Sequence, residues 1–157
     1  MVSLKFFEEK DFPGVNYTLD ETQMGYTSTA EFALKRIFER NTGLEFPVSI
    51  FYDEKPSGFF TLDFGADRFD LTDNPNSVLL RSLSVNPGLQ EKGIGKSAML
   101  QIDGLIRGNF KSCNEIVLAV NQNNISAYEL YLTVGYQYEG KTKIGRNGPQ
   151  YIMYKKI

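Results

Sequence analysis

The stretch that decides the fold lies between a predicted strand and a predicted helix, where residues 89–97 read LQEKGIGKS. The strand before it, residues 77–85, reads SVLLRSLSV. Gly93 and Gly95 remove side chains from a loop that enters a helix N-terminus, where unpaired amides and the positive end of the helix dipole favour an anion such as phosphate. Two flanking lysines add positive charge. The competing interpretation is that these glycines only turn the chain, so the phosphate-binding interpretation depends on which known motif the loop matches.

Three phosphate-binding motifs compete for this loop. A P-loop requires a glycine five positions before Gly95, where Gln90 stands, so this motif does not fit. Residues 93–98 match the dinucleotide fingerprint G-x-G-x-x-A, but residues 86–92 separate the strand from the first glycine and the acidic residue expected after the next strand is missing. This leaves a nucleotide-binding Rossmann fold as a weak alternative. The third pattern, Q-x-x-G-x-G at residues 90–95, fits.

A second motif lies downstream, where residues 121–136 follow the pattern N-x-x-N-x-x-A-x-x-L-Y-x-x-x-G-Y. The residues that carry it are Asn121, Asn124, Ala127, Leu130, Tyr131, Gly135 and Tyr136. In this order, the two motifs resemble the GNAT family of N-acetyltransferases. The resemblance is specific over residues 78–136 and loose elsewhere. It implies an enzyme that transfers an acetyl group from acetyl-CoA to a primary amine by direct attack in a ternary complex.

Hydrophobic periodicity predicts alternating strands and helices after an initial hairpin, hence a mixed α/β fold. Strands are predicted at residues 3–8, 48–52, 59–64, 77–85, 115–120, 136–140 and 150–154. Helices are predicted at residues 19–27, 30–39, 96–110 and 125–134. The resemblance implies a mostly antiparallel sheet with a central parallel strand pair flanked by helices. We expect residues 1–157 to form one domain, because no long Pro/Gly/Ser linker divides the chain.

Composition excludes several kinds of site. The chain has no histidine and one cysteine, Cys113, so it has no Ser-His-Asp triad, no imidazole-bound metal and no intramolecular disulfide, and we predict no metal site. Seventeen basic against nineteen acidic residues give a net charge of −2, which argues against nucleic acid as a partner. No apolar run approaches the roughly 20 residues of a membrane span, and no export signal is visible, so we expect a cytoplasmic protein.

The resemblance assigns the acetyl-CoA contacts by position. The strand backbone at Leu83, Ser84 and Val85 is expected to pair with the pantetheine arm. Asn124 is expected to contact the far end of the cofactor, although it also fits as the N-cap of the following helix. The residues whose loop amides are expected to hold the pyrophosphate are Gln90, Glu91, Lys92, Gly93, Ile94, Gly95, Lys96 and Ser97.

Tyr131 is the predicted catalytic residue, since relatives place a tyrosine at this point of the motif to protonate the departing thiolate. A phenol with a pKa of about 10 is protonated at neutral pH and can serve as that acid. Packing on the inner face of an amphipathic helix is the alternative. The general base stays open among Asp63, Glu129 and a water chain. Cys113 is a poor nucleophile because it lacks a histidine partner.

The acceptor site is expected to draw on the N-terminal helices, the hairpin and the closing strands. Candidate substrate-binding residues are Tyr26, Phe59, Phe60, Asp63, Tyr138 and Tyr151. Acidic residues at Asp67, Asp70 and Asp73 suggest a cationic small molecule such as a polyamine, although an acidic loop is also compatible with plain solvation. A protein N-terminus or lysine is an alternative acceptor, and a non-catalytic acyl-CoA-binding regulatory module is an alternative function. The sequence does not reveal the oligomeric state, and a homodimer is one option because dimers are common in similar proteins.

Overall fold

The computed structural model describes all 157 residues and contains seven strands and five helices. The strands are β1 (Val2–Phe6), β2 (Glu45–Tyr52), β3 (Lys55–Asp63), β4 (Ser77–Val85), β5 (Glu115–Asn121), β6 (Gln137–Gly145) and β7 (Gly148–Lys156). The helices are α1 (Phe12–Val15), α2 (Glu21–Met24), α3 (Ala30–Arg40), α4 (Ile94–Asn109) and α5 (Ile125–Thr133). None of these helices combines the length and the apolar character that crossing a membrane requires.

All seven strands belong to one sheet, in the order β1-β2-β3-β4-β5-β7-β6. Every neighbouring pair is antiparallel except β4 and β5, which run parallel. The helix α4 forms the crossover between these two parallel strands, as a parallel connection requires. The predicted mixed, mostly antiparallel sheet with one central parallel pair is therefore confirmed.

The parallel pair separates after three residue pairs. β4 and β5 are in register only at Ser77 with Glu115, Val78 with Ile116 and Leu79 with Val117. On its other side, β4 carries a bulge, because its register against β3 shifts between Phe59 and Thr61. Ser82 lies in this bulge with φ of +59°, a conformation that L-residues adopt infrequently. The C-terminal halves of β4 and β5 thus diverge and leave a gap in the middle of the sheet.

Helices cover both faces of the sheet. α4 and α5 pack against one face over the main core, and the α4 side chains in that core recur at three- and four-residue spacing: Ile94, Ala98, Met99, Ile102 and Ile106. Each large apolar side chain buried in this way stabilises the fold by about 1.5–3 kcal/mol. On the opposite face, Val15 of α1 and Ala33 of α3 pack against Phe59. The gap between β4 and β5 is consequently open to both helical layers.

The structure corrects several boundaries predicted from the sequence. The helix predicted at residues 19–27 is the single turn α2, because Gly25 caps it, a turn follows at residues 25–26, and residues 27–29 are not helical. The β2–β3 turn consists of only Asp53 and Glu54, both with positive φ, as the twist of a two-residue hairpin requires. β6 and β7 are each longer than predicted, because the outer strand β6 is largely exposed and polar and so lacks a hydrophobic pattern.

Candidate functional site

A cavity of about 660 Å³ lies in the gap between β4 and β5, on the face covered by α4 and α5. We call it the α4 cavity. Its wall includes eleven of the residues that the sequence predicts for the site: Tyr26, Leu83, Val85, Gln90, Glu91, Gly93, Ile94, Gly95, Lys96, Asn124 and Tyr131. The two motifs, at residues 90–95 and 121–136, are well separated in the chain, and both contribute to this one cavity where the two strands diverge.

The N-terminus of α4 lies at one end of this cavity, where main-chain groups form the wall. Gly93 has φ of +74° and turns the chain into the helix, which favours glycine. The first intrahelical bond runs from the Ser97 amide to the Gly93 carbonyl, at 3.0 Å. The amides of Ile94, Gly95 and Lys96 donate to no protein acceptor. Because the positive end of the helix dipole lies at the same place, this end of the cavity is suited to an anion.

Three residues of the predicted cofactor loop and strand direct their side chains elsewhere. Lys92 is exposed and lies outside the cavity wall. The Ser97 hydroxyl accepts a hydrogen bond from the Gln101 amide at 3.3 Å. Ser84 is buried, and its hydroxyl shares a hydrogen bond of 2.7 Å with the Tyr17 hydroxyl. For these three residues, a role at the cavity can rest only on the main chain.

Asn124 heads α5 and lies in the wall of the α4 cavity. Its Oδ1 accepts a hydrogen bond from the Ala127 amide at 3.4 Å, so it caps the helix as its residue type predicts. The capping role and a place beside a ligand are therefore compatible. Its predicted contact with the cofactor stays a prediction.

Tyr131 lies on α5, partly buried in the wall of the α4 cavity. Its ring packs against that of Tyr136, with 5.8 Å between the centroids, and its hydroxyl makes no hydrogen bond to the protein. Burial raises the pKa of Tyr131 to about 12. The phenol is therefore protonated throughout the physiological range and has a free O–H group. Packing and availability as an acid coexist at this residue.

Gln23 on α2 is a cavity residue that sequence reasoning missed. Its Nε2 donates a hydrogen bond to the Val85 carbonyl at 2.9 Å, which holds α2 over the end of β4. Asp20 and Gln23 form a capping box, because the side-chain oxygen of each residue accepts a hydrogen bond from the backbone amide of the other. That D-x-x-Q spacing could have revealed the start of α2, although not the contact with β4.

A second cavity, of about 410 Å³, lies on the opposite face of the sheet beneath α3. We call it the α3 cavity. Both cavities share wall residues at the gap in the sheet: Tyr26, Thr27, Leu80, Arg81, Ser82, Ala119 and Asn121. The Ser82 hydroxyl at the bulge shares a hydrogen bond of 3.0 Å with the Ser28 hydroxyl. The two cavities therefore meet where β4 and β5 diverge.

Most of the predicted acceptor residues lie outside both cavities. Phe59 and Phe60 are fully buried in the cores on the two sides of β3, because alternate residues of a strand face opposite sides. Tyr138 and Tyr151 pack against each other and against Tyr128 of α5, with centroid distances of 4.6 and 4.9 Å for the two pairs that involve Tyr151. The prediction is therefore corrected for Phe59 and Phe60, whose side chains build the core. Tyr138 and Tyr151 are partly buried in an aromatic cluster behind α5, and their acceptor role stays a prediction.

Asp63 also departs from its predicted place in the acceptor site. It is buried, its Oδ2 lies 3.1 Å from Nη1 of Arg81, and its Oδ1 accepts a hydrogen bond from the Gly65 amide at 2.7 Å. Both oxygens are thus occupied, and Asp63 is in neither cavity wall. Glu129 is exposed and is also outside both walls. Neither of these carboxylates is placed to act as the general base.

The α3 cavity is lined by charges of both signs. Its acidic wall residues are Asp67 and Asp70, and its basic ones are Arg36, Arg81, Lys143 and Arg146. Asp73 lies outside it. Sequence reasoning found the acidic loop and missed all four cations, which come from α3, β4 and the β6–β7 hairpin. The only signal for them was the turn sequence GRNG at residues 145–148, which predicts a hairpin but not what it faces.

Ion pairs connect several of these charges. Arg81 Nη1 and Arg40 Nη1 each lie 2.8 Å from Oδ2 of Asp67. Hydrogen bonds from these two guanidinium groups hold the pKa of Asp67 down at about 2. Nε of Arg36 donates to Glu45 at 2.9 Å. Burial, followed by the charge of Arg81, lowers the pKa of Arg36.

Cys113 lies in the main core, with its Sγ 3.6 Å from the Glu115 carbonyl oxygen. Burial raises the pKa of its thiol. A protonated, enclosed thiol is a poor nucleophile, as the sequence predicted.

Comparison with known proteins assigns the class. The model of the acetyltransferase (GNAT) family matches residues 11–136. A protein of Bacillus subtilis (strain 168), the uncharacterized N-acetyltransferase YbbJ, is 34% identical over 157 residues, which cover 98% of this chain and 96% of that protein. The chain therefore belongs to the GNAT acetyltransferase family, and it is an N-acetyltransferase of this type. The family predicted from the two motifs is confirmed.

Solved structures share the fold at low sequence identity. The structure of AAC(6')-Ib in complex with paromomycin and acetyl-CoA superposes with a TM-score of 0.79 at 16% identity, over 99% of this chain and 93% of that chain. Spermidine N-acetyltransferase from Vibrio cholerae, in complex with CoA and spermine, gives a TM-score of 0.72 at 17% identity, over 99% and 95% of the two chains. At this identity the likeness establishes the fold.

Proposed function

We propose that this protein uses acetyl-CoA to acetylate the primary amine of a small molecule, by direct attack within a ternary complex. The observation that carries the proposal is the meeting of two cavities, on opposite faces of the sheet, at the gap between β4 and β5. One cavity has an anion-binding helix end and the other has polar, charged walls. Each can take one substrate, and the reacting groups then come together at the gap.

The α4 cavity is suited to acetyl-CoA. The free amides of Ile94, Gly95 and Lys96 would hold the diphosphate, and the exposed Lys96 side chain adds positive charge. Leu83 and Val85, in the wall of the same cavity, would lie along the pantetheine arm. The volume of about 660 Å³ is within the usual range for sites that hold small molecules and cofactors. Neighbours of the same fold are complexes with acetyl-CoA or CoA, which supports the same co-substrate here.

The chemical step follows from the position of Tyr131. The amine nitrogen attacks the thioester carbonyl carbon, a new C–N bond forms, and the C–S bond breaks. The departing sulfur takes the proton of the Tyr131 hydroxyl, the nitrogen loses its proton to water, and the Tyr131 phenolate regains a proton from water, which restores the enzyme. Because burial keeps the pKa of Tyr131 at about 12, the phenol has its proton available at neutral pH.

The acceptor amine loses its proton to solvent before attack, in our proposal. Asp63 has both oxygens occupied and Glu129 lies outside the cavities, so no carboxylate of the original candidates faces the gap. An alkylammonium has a pKa of about 10.4. We therefore expect kcat/KM to rise with pH up to about pH 10, with no descending limb from Tyr131 in that range, because its pKa is raised and not lowered. Initial rates between pH 6 and 10 measure this profile.

The proposal is tested by measuring thiol release from acetyl-CoA in the presence of a panel of small amines, a lysine peptide and a peptide with a free N-terminus. Turnover with a small amine supports the proposal. Turnover restricted to a peptide would instead indicate a protein N-acetyltransferase. Stabilisation of the protein by CoA without transfer to any acceptor would indicate a non-catalytic acyl-CoA-binding module. Preferential stabilisation by NAD would restore the nucleotide-binding alternative.

One sheet with strands from Val2 to Lys156 supports treating residues 1–157 as a single domain. The cytoplasmic location and the homodimer stay predictions.

A further inference from the structure

Of the two carboxylates in the wall of the α3 cavity, one is neutralised by neighbouring arginines. Asp67 is paired with both Arg40 and Arg81, and the buried Asp63 behind it is paired with Arg81. Asp70 is exposed and is the one acidic wall residue outside any ion pair. A polycationic acceptor would therefore meet a single free carboxylate, although the sequence of this loop suggested an acidic surface.

Two cations in the same wall have no carboxylate partner. Lys143 on β6 and Arg146 in the β6–β7 turn line the α3 cavity, and no carboxylate lies within ion-pair distance of either. Lys143 is also partly buried, so its charge is less screened by water than that of a fully exposed lysine. The free charge of the cavity wall is thus two positive groups against the one negative group of Asp70.

The turn that carries Arg146 is held in place over the cavity. Nδ2 of Asn147 donates to the Gly25 carbonyl at 2.6 Å, and Nδ2 of Asn121 donates to the Asn147 carbonyl at 2.9 Å. These bonds tie the hairpin to the end of α2 and to the end of β5, which borders the gap in the sheet. These bonds fix the backbone of the turn, so the exposed Arg146 side chain starts from a defined position at the wall of the α3 cavity.

We propose that the acceptor is an amine that also carries an anionic group, a carboxylate or a phosphate, which Lys143 and Arg146 bind at the wall of the α3 cavity. The inference rests on the proposed function, because it names the acceptor class of the same site. The anion lies against the β6–β7 hairpin and the amine points to the gap between β4 and β5. Arginine matches the planar or multidentate oxygens of such groups, and lysine supplies a second charge.

The test compares amines that differ only by the anionic group. Suitable pairs are lysine with 1,5-diaminopentane, alanine with ethylamine, and phosphoethanolamine with ethanolamine, with spermidine as the polycation. Acetylation is measured as kcat/KM for each compound. Equilibrium binding of the same compounds, to the free protein and to the protein saturated with CoA, is measured in parallel, because binding does not depend on the reactivity of the amine.

We expect the anionic member of at least one pair to be preferred tenfold or more in both measurements. The first two pairs and the third distinguish carboxylate from phosphate as the bound group. K143M and R146Q should each lower the value for the anionic compound by roughly tenfold to a hundredfold, the usual range for a lost charge-assisted hydrogen bond. Each should leave the partner amine, which lacks the anionic group, within about twofold. K111M, which removes an exposed lysine outside both cavities, is the matched control and should change neither value.

The two proposals fail in different ways. If no amine is acetylated, the proposed function is overturned, and the binding measurements still decide the inference. If spermidine or the partner amines that lack the anionic group bind and react as well as the anionic compounds, the inference is overturned while the proposed function stands. An anionic preference that survives both K143M and R146Q would also overturn it, since the anion would then bind elsewhere.

Discussion

The two cavities of this N-acetyltransferase differ in the groups that they present to a ligand. The α4 cavity ends in main-chain groups, namely the unpaired amides of Ile94, Gly95 and Lys96. The α3 cavity is walled by charged side chains from α3, β4, the loop after β3 and the β6–β7 hairpin. They meet only where β4 and β5 diverge. One cavity therefore depends on the course of the backbone, and the other depends on which side chains converge and which of them are paired.

This difference separates a general function from a specific one. Backbone amides are present at every residue, so an anion site at α4 requires little more than glycines and a helix that begins at the right place. Such a site suits a co-substrate shared by a whole family. Side-chain charges can be exchanged without moving the sheet, so the α3 cavity is where the acceptor can differ among proteins with the same fold.

The largest effect is expected in the wall of the α4 cavity, from Tyr131→Phe. The substitution removes the proton that the departing sulfur takes, so kcat should fall by about a hundredfold or more. The free energy of unfolding should stay within about 0.5 kcal/mol, because the Tyr131 hydroxyl makes no hydrogen bond to the protein. Steady-state rates with the best acceptor and urea unfolding provide the two measurements.

Tyr128→Phe is the matched control, because Tyr128 lies on the same helix but packs against Tyr138 and Tyr151 outside both cavities. It should leave kcat within about twofold. Unchanged kcat in Tyr131→Phe would mean that this tyrosine only packs, and that the α4 cavity contributes binding alone.

The next effect concerns the stability of the α3 cavity. Asp63→Ala removes one of the two carboxylates paired with Arg81 and the acceptor of the Gly65 amide. Because Asp67 still pairs with Arg81, we expect a destabilisation of about 1–3 kcal/mol, as for a buried donor that loses its acceptor. Urea unfolding measures the loss. Asp73→Ala, an exposed aspartate outside the cavity, is expected to change stability by no more than about 0.5 kcal/mol. Equal stability of the two variants would show that the ion pairs beneath the α3 cavity are not structural.

The third effect concerns the α4 cavity and should be seen in binding. A Cβ at Gly95 would meet Leu130 and Val85 at 3.9 and 4.0 Å, which are ordinary contact distances, so Gly95→Val should fold. Its methyl groups enter the cavity beside the free amides, and we expect the KM for acetyl-CoA to rise by about tenfold, which corresponds to roughly 1.4 kcal/mol. Initial rates at varied acetyl-CoA concentration measure this change.

Gly104→Val is the control in the same helix, since a Cβ there meets no atom within 4 Å and the residue is exposed. It should leave the KM for acetyl-CoA unchanged. A rise of similar size in both variants would point to a general effect on α4 and not to occupation of the cavity.

The sequence predicted the α4 cavity far better than the α3 cavity. The glycine loop and the motif at residues 121–136 are local patterns, and each is near a strand–helix junction that periodicity also detects. Gln23 was missed because its contact with Val85 joins residues 62 positions apart. No local pattern marks a hydrogen bond of that kind.

The prediction of an acidic acceptor site rested on residue types alone, and residue types do not reveal which charged side chains form ion pairs with one another. Asp67 belonged to the acidic loop that suggested a cationic acceptor, whereas the fold places Arg40 and Arg81 against it. Phe60 looked like a wall residue because it is aromatic, yet it lies on the core side of β3. Lys143 escaped notice because β6 is a polar edge strand that carries little hydrophobic pattern.

The smallest effect tests the charge pairing at Asp67 through acid unfolding. Its two guanidinium partners hold the pKa of Asp67 at about 2 in the folded protein, against an ordinary value of 3.8. A lowered folded pKa means that this carboxylate stabilises the fold above about pH 4 and loses that contribution as the pH falls through 2. Asp67→Asn should therefore lose less free energy of unfolding between pH 4 and pH 2 than the wild type. The difference should be below about 1 kcal/mol, because the side chain is 38% exposed and solvent screens the pair.

Urea unfolding at low salt and at about 0.5 M salt measures this difference. We expect a smaller difference at high salt, because ~0.5 M salt reduces the Debye length to between about 3 and 8 Å. Asp70→Asn breaks no ion pair and is the control, so its free energy of unfolding should change with pH as that of the wild type does. If the free energy of unfolding of Asp67→Asn also changes with pH as that of the wild type does, Asp67 is unpaired in solution. The α3 cavity would then be more acidic than its ion pairs indicate.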